Sequence, residues 1–325
     1  YPPPTYVLWD CTRRCNLNCE HCGAAKERYD REMGTDKVVS LISELAVLGV
    51  RTFAVTGGEP LLREDLALVL HHARSVGINT GIATNGFLLD GSMALALAQA
   101  GVSSVQISID GDRDPHNRIR HNELSYDRAV SAARNCREAG IALITVATVV
   151  TKSNIETLPT LLNTLLSEGI RYWKLIPLMP IGRADKSELQ IEPATLIAFL
   201  EFVRQARRRI RIQIGENLPY LGKYDSQTRN LVTYCPVGIT ACCLGVDGKI
   251  RGCPEMPDSA KFYEGSVLET NFDTIWQRGF VRYREDHLRH QDHDCAKCSW
   301  WNRCRGGCWV MRTGEWHCIK NWLIY

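Results

Sequence analysis

Cys15, Cys19 and Cys22 stand in the run Cys15-Asn16-Leu17-Asn18-Cys19-Glu20-His21-Cys22, three thiols on one short loop. Thiolates so spaced can hold three corners of a cubic [4Fe–4S] cluster. A closed cluster takes four protein ligands, so one iron here stays open to a substrate or cosubstrate. Zinc is the competing reading, but its structural sites are four-coordinate and draw on pairs of ligands. Cys11 could be offered as a fourth thiol. It closes the apolar run Tyr6-Val7-Leu8-Trp9, which reads as a strand, so it is expected to be a buried thiol instead.

The elements that must carry this loop repeat along residues 35–215. An amphipathic helix ends at a glycine and an apolar strand follows: Leu48-Gly49-Val50, Val76-Gly77-Ile78, Ala100-Gly101-Val102, Ala139-Gly140-Ile141 and Glu168-Gly169-Ile170. Glycine at a helix C′ position permits the left-handed turn that stops the helix. In the first helix Val38, Leu41, Ile42, Leu45 and Leu48 share a face. The strands are rich in Val, Ile and Ala, as expected when both sheet faces are covered. Alternating helices and buried strands imply parallel β-α units. With the first strand and one near Ile210–Ile214 there are about six or seven, fewer than a complete barrel needs. The expected fold is α/β, a partial (β/α)6-type TIM barrel. A doubly wound open sheet is the alternative that periodicity leaves.

Barrel chemistry collects at the C-terminal strand ends. Here those ends carry Gly57-Gly58-Glu59-Pro60, Thr84-Asn85-Gly86, Ser108-Ile109-Asp110-Gly111, Thr151-Lys152-Ser153-Asn154 and Pro180-Ile181-Gly182-Arg183. Each alone is ordinary turn chemistry. Around a loop with three cysteines they look like one site.

Composition narrows the partners. The chain has 325 residues, 45% hydrophobic and 23% charged, with a net charge of +3, ordinary for a globular protein with a sizeable core. Arg207-Arg208-Arg209 with Arg211 reads as a solvated helix end rather than a nucleic-acid site. Fourteen cysteines, with no basic-then-apolar leader and no bilayer-length apolar stretch, favour metal binding in the cytoplasm over disulfides. No nucleic-acid or membrane partner is expected.

The triplet followed by Gly57-Gly58-Glu59-Pro60 resembles the radical SAM family, whose pattern is C-x3-C-x-φ-C with an aromatic φ; here φ is His21. In that family the open iron chelates the methionine end of S-adenosylmethionine (SAM). One electron then splits SAM into methionine and a 5′-deoxyadenosyl radical. The resemblance implies that Gly57, Gly58 and Glu59 contact the methionine amino group, that Ser108 and Asp110 serve the methionine carboxylate and ribose, and that Arg120, in His116-Asn117-Arg118-Ile119-Arg120, helps hold SAM. For Arg120 a surface ion pair is the alternative. Asn85 is expected at the ligand, or else as a turn cap.

Cysteines return from Cys235, with Gly248 and Cys253 at spacing, then Cys295-x2-Cys298-x5-Cys304-x3-Cys308 and Cys318. This resembles the SPASM extension of peptide and sulfatase maturases, which holds two auxiliary [4Fe–4S] clusters. The resemblance implies Cys235, Cys253 and Cys308 for the first and Cys295, Cys298, Cys304 and Cys318 for the second. A zinc ribbon over Cys295–Cys308 is the competing reading. Val246-Asp247-Gly248-Lys249 reads as a two-residue hairpin turn on Asp-Gly. Counting back pairs Leu244 with Arg251 and Cys242 with Cys253, so Cys242 is expected as the missing fourth ligand, Cys243 pointing away. The alternative is an open auxiliary iron and a buried Cys242. The expected division is a barrel domain over 1–215, a linker over 216–231 and a small cysteine-rich iron–sulfur domain over 232–325. Cys136 is expected in the core, and His287, His290 and His293 in solvent.

Auxiliary clusters give a second electron an exit, which favours net two-electron oxidation. The expectation is a radical SAM oxidoreductase that installs a crosslink or dehydrogenation in a ribosomally made peptide. A separate leader-binding protein and a flavodoxin or ferredoxin donor would serve it. Oxidation of a sugar alcohol or a tetrapyrrole side chain is the alternative. Sulfatase maturation fits less well, because Pro254 stands where those maturases carry an aspartate; Glu255, one residue on, is the candidate base.

Overall fold

Every expected helix stop is a glycine in the left-handed region: Gly49, Gly77, Gly101, Gly140 and Gly169 have φ between +77° and +87°. Each turn sends the chain from a helix straight into the next strand. The computed structural model describes residues 1–23, 32–186, 188–230, 234–284, 293–312 and 318–323. Its repeat runs β1 (Tyr6–Asp10), α1 (Thr35–Val47), β2 (Thr52–Thr56), α2 (Leu66–Ser75), β3 (Asn79–Thr84), α3 (Gly91–Gln99), β4 (Ser104–Ser108), α4 (Arg113–Arg120), α5 (Ser125–Glu138), β5 (Leu143–Val150), α6 (Leu158–Ser167), β6 (Tyr172–Pro177), α7 (Pro193–Ala206) and β7 (Arg211–Ile214).

These seven strands pair in sequence order and in parallel. Three later strands, β8 (Ala241–Leu244), β9 (Lys249–Arg251) and β10 (Tyr263–Ser266), extend the same sheet past β1. The order is β10-β9-β8-β1-β2-β3-β4-β5-β6-β7. It has two ends, so the barrel is partial, as the count of repeats requires.

Burial alternates along the strands. Val7, Trp9, Phe53, Val55, Val105, Ile107, Val146, Trp173 and Leu175 are at most 1% exposed and share one core with Leu41, Leu45, Val69, Leu161 and Leu200 of the helices. Full burial of each such side chain stabilises by about 1.5–3 kcal/mol. The other face carries Thr52, Ala54 and Thr56, then Ser104, Gln106 and Ser108, then Tyr172, Lys174 and Ile176, all half-buried. The expectation that both sheet faces are covered is therefore wrong. Helices cover one face, and small or polar side chains line the interior of an open barrel. Among the strands the Val and Ile content comes mostly from the helix side.

Residues 216–230 pack rather than tether. Leu218, Leu221, Asp225, Thr228 and Arg229 are buried, and the Arg229 guanidinium donates to the Leu218 and Pro219 carbonyls and pairs with Asp225. Cys11 and Cys136 are fully buried, as their apolar surroundings led us to expect. His287 and His290 and the side chain of His293 lie outside the described residues.

The β8–β9 hairpin departs from its expected register. Leu244 pairs with Ile250 and Cys243 with Arg251. The Gly245 N–H donates to Lys249 O at 2.8 Å, and Gly248 takes φ +83°. Asp247-Gly248 thus ends a three-residue loop with glycine in the left-handed position, instead of forming a two-residue turn. The one-residue slip reverses which side chains share a face. Cys243, not Cys242, faces with Arg251, and the pairing of Cys242 with Cys253 falls.

Candidate active site

The cysteine loop leaves β1 and is gripped from four strand ends. From β2, the Gly58 N–H donates to Thr12 O at 2.6 Å and the Glu59 N–H to Arg14 O at 2.7 Å. A Cβ on Gly58 would lie 2.1 Å from Arg14 O, so only glycine permits this approach. From the end of β3, Asn85 Nδ2 donates to Asn16 Oδ1 at 2.8 Å. Beyond β4, Ile119 O of α4 accepts from the Glu20 N–H at 2.8 Å. Beyond β6, Arg183 donates from Nε to Cys19 O at 2.7 Å and from its backbone N–H to Cys22 O. Cys15 is exposed, Cys22 half-buried and Cys19 buried. Burial raises the Cys15 and Cys19 thiols, while Arg120 and Arg183 draw Cys19 back toward the thiolate.

Glu59 is fully buried and builds the loop. Its Oε1 accepts from Thr84 Oγ1 at 2.7 Å and from the Leu61 N–H, and its Oε2 from the Asn85 N–H at 2.8 Å. Asn85 is also a turn cap, since its Oδ1 accepts from the Phe87 N–H.

Asp110 is the hub of the β4 end and has no exposure. Oδ2 accepts from Arg120 Nε at 2.9 Å and lies 2.7 Å from Arg120 Nη2 and 3.2 Å from His21 Nε2. Oδ1 accepts from the Val149 N–H at 2.8 Å. Burial alone would raise this carboxyl, but Arg120 and His21 hold it well below the usual carboxylate range. Both oxygens are engaged within the protein, so Asp110 orients the site, while Ser108 stands half-buried on the open face. Arg120 is 5% exposed, which removes the surface-pair alternative; its Nη1 lies 3.9 Å from Cys19 Sγ.

Sequence reasoning missed several supports. His116 Nδ1 accepts from the Asp110 N–H at 2.9 Å; burial, with Arg120 adding, lowers its pKa to about 3, so it stays neutral. Asn154 Nδ2 donates to Asp110 O and Val149 O. Asn154 was visible in a polar strand end and His116 in the run that ends at Arg120, but not which atoms they serve.

The later cysteines fall into two groups by the charges they feel. Burial comes first in raising Cys253, Cys308 and Cys235; Cys253 also feels Cys308 and Cys235, Cys308 feels Cys235, and both feel Glu255. Cys318 likewise feels Cys304 and Cys298. Cys242 is 2% exposed, and the charged groups acting on it are Cys243 and Arg284. No three described His, Cys, Asp or Glu side chains converge tightly enough for a single metal ion. Glu255 joins the two fields: a Cβ on Gly23, next to Cys22, would lie 2.1 Å from Glu255 Oε2.

Residues 9–165 match the model of the radical SAM superfamily. The chain carries a radical SAM domain there. It is 28% identical to the Fe-coproporphyrin III synthase of Methanosarcina barkeri, over 92% of this chain and 82% of that one. It is 26% identical to a mycofactocin maturase of Mycolicibacterium smegmatis, over 98% and 83%. In fold it resembles Streptococcus suis SuiB bound to the precursor peptide SuiA, with TM-score 0.79 at 18% identity over 97% of this chain and 74% of that one. It also resembles anSMEcpe with bound AdoMet, with TM-score 0.72 at 19% identity over 97% and 92%. A [4Fe–4S] cluster and SAM are its cofactors. The donor set fits them, with three thiols on one loop held by backbone hydrogen bonds from several strands. Among the described residues no helix is long and apolar enough to cross a membrane.

Proposed function

We propose that the enzyme carries out a net two-electron oxidation of a ribosomally made peptide, closing a crosslink or introducing a double bond. The observation that carries this reading is the contact of Glu255 with Gly23, which brings the segment of Cys253 against the loop of Cys22. When bound, SAM and its cluster supply a hydrogen-abstracting radical, and two auxiliary clusters give the remaining electron an exit.

The chain's own residues have separable tasks in this reading. Cys15, Cys19 and Cys22 hold the first cluster; Gly57, Gly58, Asn85 and Ser108 bind SAM; Glu59, Asp110 and Arg120 keep those groups in place. Cys235, Cys253 and Cys308 hold one auxiliary cluster, and Cys295, Cys298, Cys304 and Cys318 the other. Glu255 takes the substrate's proton. Its Oε2 is buried without a hydrogen-bond partner among the described residues, and burial raises its pKa, as suits a base that must both accept and release a proton. A flavodoxin or ferredoxin supplies electrons, and a separate protein binds the leader.

The second reading is oxidation of an iron porphyrin. It is favoured by the relatives named AdoMet-dependent heme synthase. The test is incubation of the reconstituted enzyme, SAM and a strong reductant with a short peptide encoded beside its gene, and separately with Fe-coproporphyrin III. The peptide reading expects a loss of about 2 Da from the peptide, two hydrogens removed as the auxiliary clusters accept the second electron. Turnover of the porphyrin alone moves the enzyme to the second reading.

A further inference from the structure

Tyr283 sets a buried hydroxyl among the neighbours of three cysteines. A Cβ on Gly252, next to Cys253, would lie 2.8 Å from its Oη. Its ring meets that of Trp309, next to Cys308, edge to face with centroids 4.8 Å apart. A Cβ on Gly238, three residues after Cys235, would lie 2.8 Å from the Tyr283 Cβ. Tyr283 is 6% exposed, and its Oη has no hydrogen-bond partner among the described residues. An enclosed hydroxyl without a partner costs stability, and phenylalanine would fill the same space without that cost. The hydroxyl therefore points to an acceptor brought by a bound group. The cysteines around it suit a group held by thiolates. Against the burial that raises all three, the Val237 and Trp309 N–H groups favour the Cys235 thiolate, the Glu255 N–H favours that of Cys253, and the Met311 and Val310 N–H groups favour that of Cys308. Tyr283 keeps its own proton: burial first, then Glu264, push the phenol up, over the pull of Arg282. It can donate a hydrogen bond, and it does not offer a phenolate as a ligand.

We propose that the Tyr283 hydroxyl donates a hydrogen bond to the iron–sulfur group held by Cys235, Cys253 and Cys308 and stabilises its reduced form. This rests on the reading that these three cysteines hold an auxiliary cluster. An added electron makes the cluster's sulfurs more negative, and a hydrogen bond to a more negative acceptor is stronger. The bond therefore raises the reduction potential of that cluster. Tyr283 makes and breaks no bond of the substrate. It sets how readily the cluster takes up an electron.

The test compares anaerobically reconstituted holoprotein of wild type, Tyr283→Phe and Cys253→Ala by iron analysis and by redox titration followed by EPR. The signal lost in Cys253→Ala identifies the cluster. In Tyr283→Phe the iron content should stay at the wild-type value and that signal should move to a more negative midpoint. At the wild-type midpoint the reduced-to-oxidised ratio should fall about 2- to 10-fold, the range for one hydrogen bond. Tyr283 replaced by 3-fluorotyrosine, a stronger donor of nearly the same size, should move the midpoint the opposite way, which a packing role would not do. If Tyr283→Phe does not fold or does not hold that iron, the fluorotyrosine protein decides alone, and a midpoint that is unmoved or more negative overturns the inference. Wild-type iron content in Cys253→Ala removes the cluster reading and this inference with it. Iron lost in Cys253→Ala with an unmoved midpoint in Tyr283→Phe, or a midpoint that moves the same way in both Tyr283 variants, overturns the inference alone.

Discussion

Arg120 and Asp110 meet in a fully enclosed ion pair, with Nε 2.9 Å and Nη2 2.7 Å from the same carboxylate oxygen. The guanidinium also reaches Cys19 Sγ at 3.9 Å. One side chain thereby fastens the end of β4 to the cysteine loop. A pair so placed adds little stability over an apolar pair, but breaking it strands a charge.

Asp110→Asn should therefore cost about 3–5 kcal/mol. It leaves Arg120 without its partner and His21 without its acceptor. Urea denaturation of the variant measures the loss. A change below about 1 kcal/mol, the scale of a surface pair, would show that the pair is solvated in solution.

His116 gives the fold an acid limit. Burial, reinforced by Arg120, holds it neutral down to about pH 3, while the unfolded chain takes up that proton near 6.5. Between those values the unfolded state binds more protons, so stability falls as pH is lowered, by up to about 1.4 kcal/mol per pH unit. His116→Gln should flatten the fall of melting temperature between pH 6.5 and pH 3. An unchanged slope would assign the acid sensitivity to other groups.

Much of this was legible. The Leu-Gly-Val and Ala-Gly-Ile junctions specify helix stops because only glycine takes that turn cheaply, and the cysteine spacings specify their loops. Two features were not. The polar alternation of Thr52, Ala54 and Thr56 is weak beside the Phe53 and Val55 of the same strand, so composition alone suggests a covered face where the open one stands. In the hairpin, Asp247-Gly248 fits both a two-residue and a three-residue loop, and only the observed pairing of Cys243 with Arg251 decides between them. The Arg251–Asp10 contact spans 241 positions, beyond the reach of any local pattern.

The Gly58 contact makes a steric prediction. Gly58→Ala forces a Cβ against Arg14 O, and neither backbone yields without moving the cysteine loop. The variant should keep its C-terminal iron and lose about four irons, the content of one cluster. Full iron content with unimpaired SAM binding would show that the loop adapts.

Cys242→Ala and Cys253→Ala should differ. Cys242 is buried beside Val7 of β1, so its loss costs packing, about 1–2 kcal/mol, and leaves iron content unchanged. Cys253→Ala should lose an auxiliary cluster. Equal iron loss in both variants would restore Cys242 as a ligand.

The central claim is that three clusters, one opening to SAM and two auxiliary, act in one oxidation. The direct measurement is iron and zinc content with Mössbauer spectra of anaerobically reconstituted protein, wild type beside the Cys15, Cys19 and Cys22 triple alanine variant. The account predicts about 12 irons in the first, and roughly eight irons with no SAM cleavage in the second. About four irons with zinc bound at the C-terminal cysteines, or 5′-deoxyadenosine still formed by the triple variant, would contradict it.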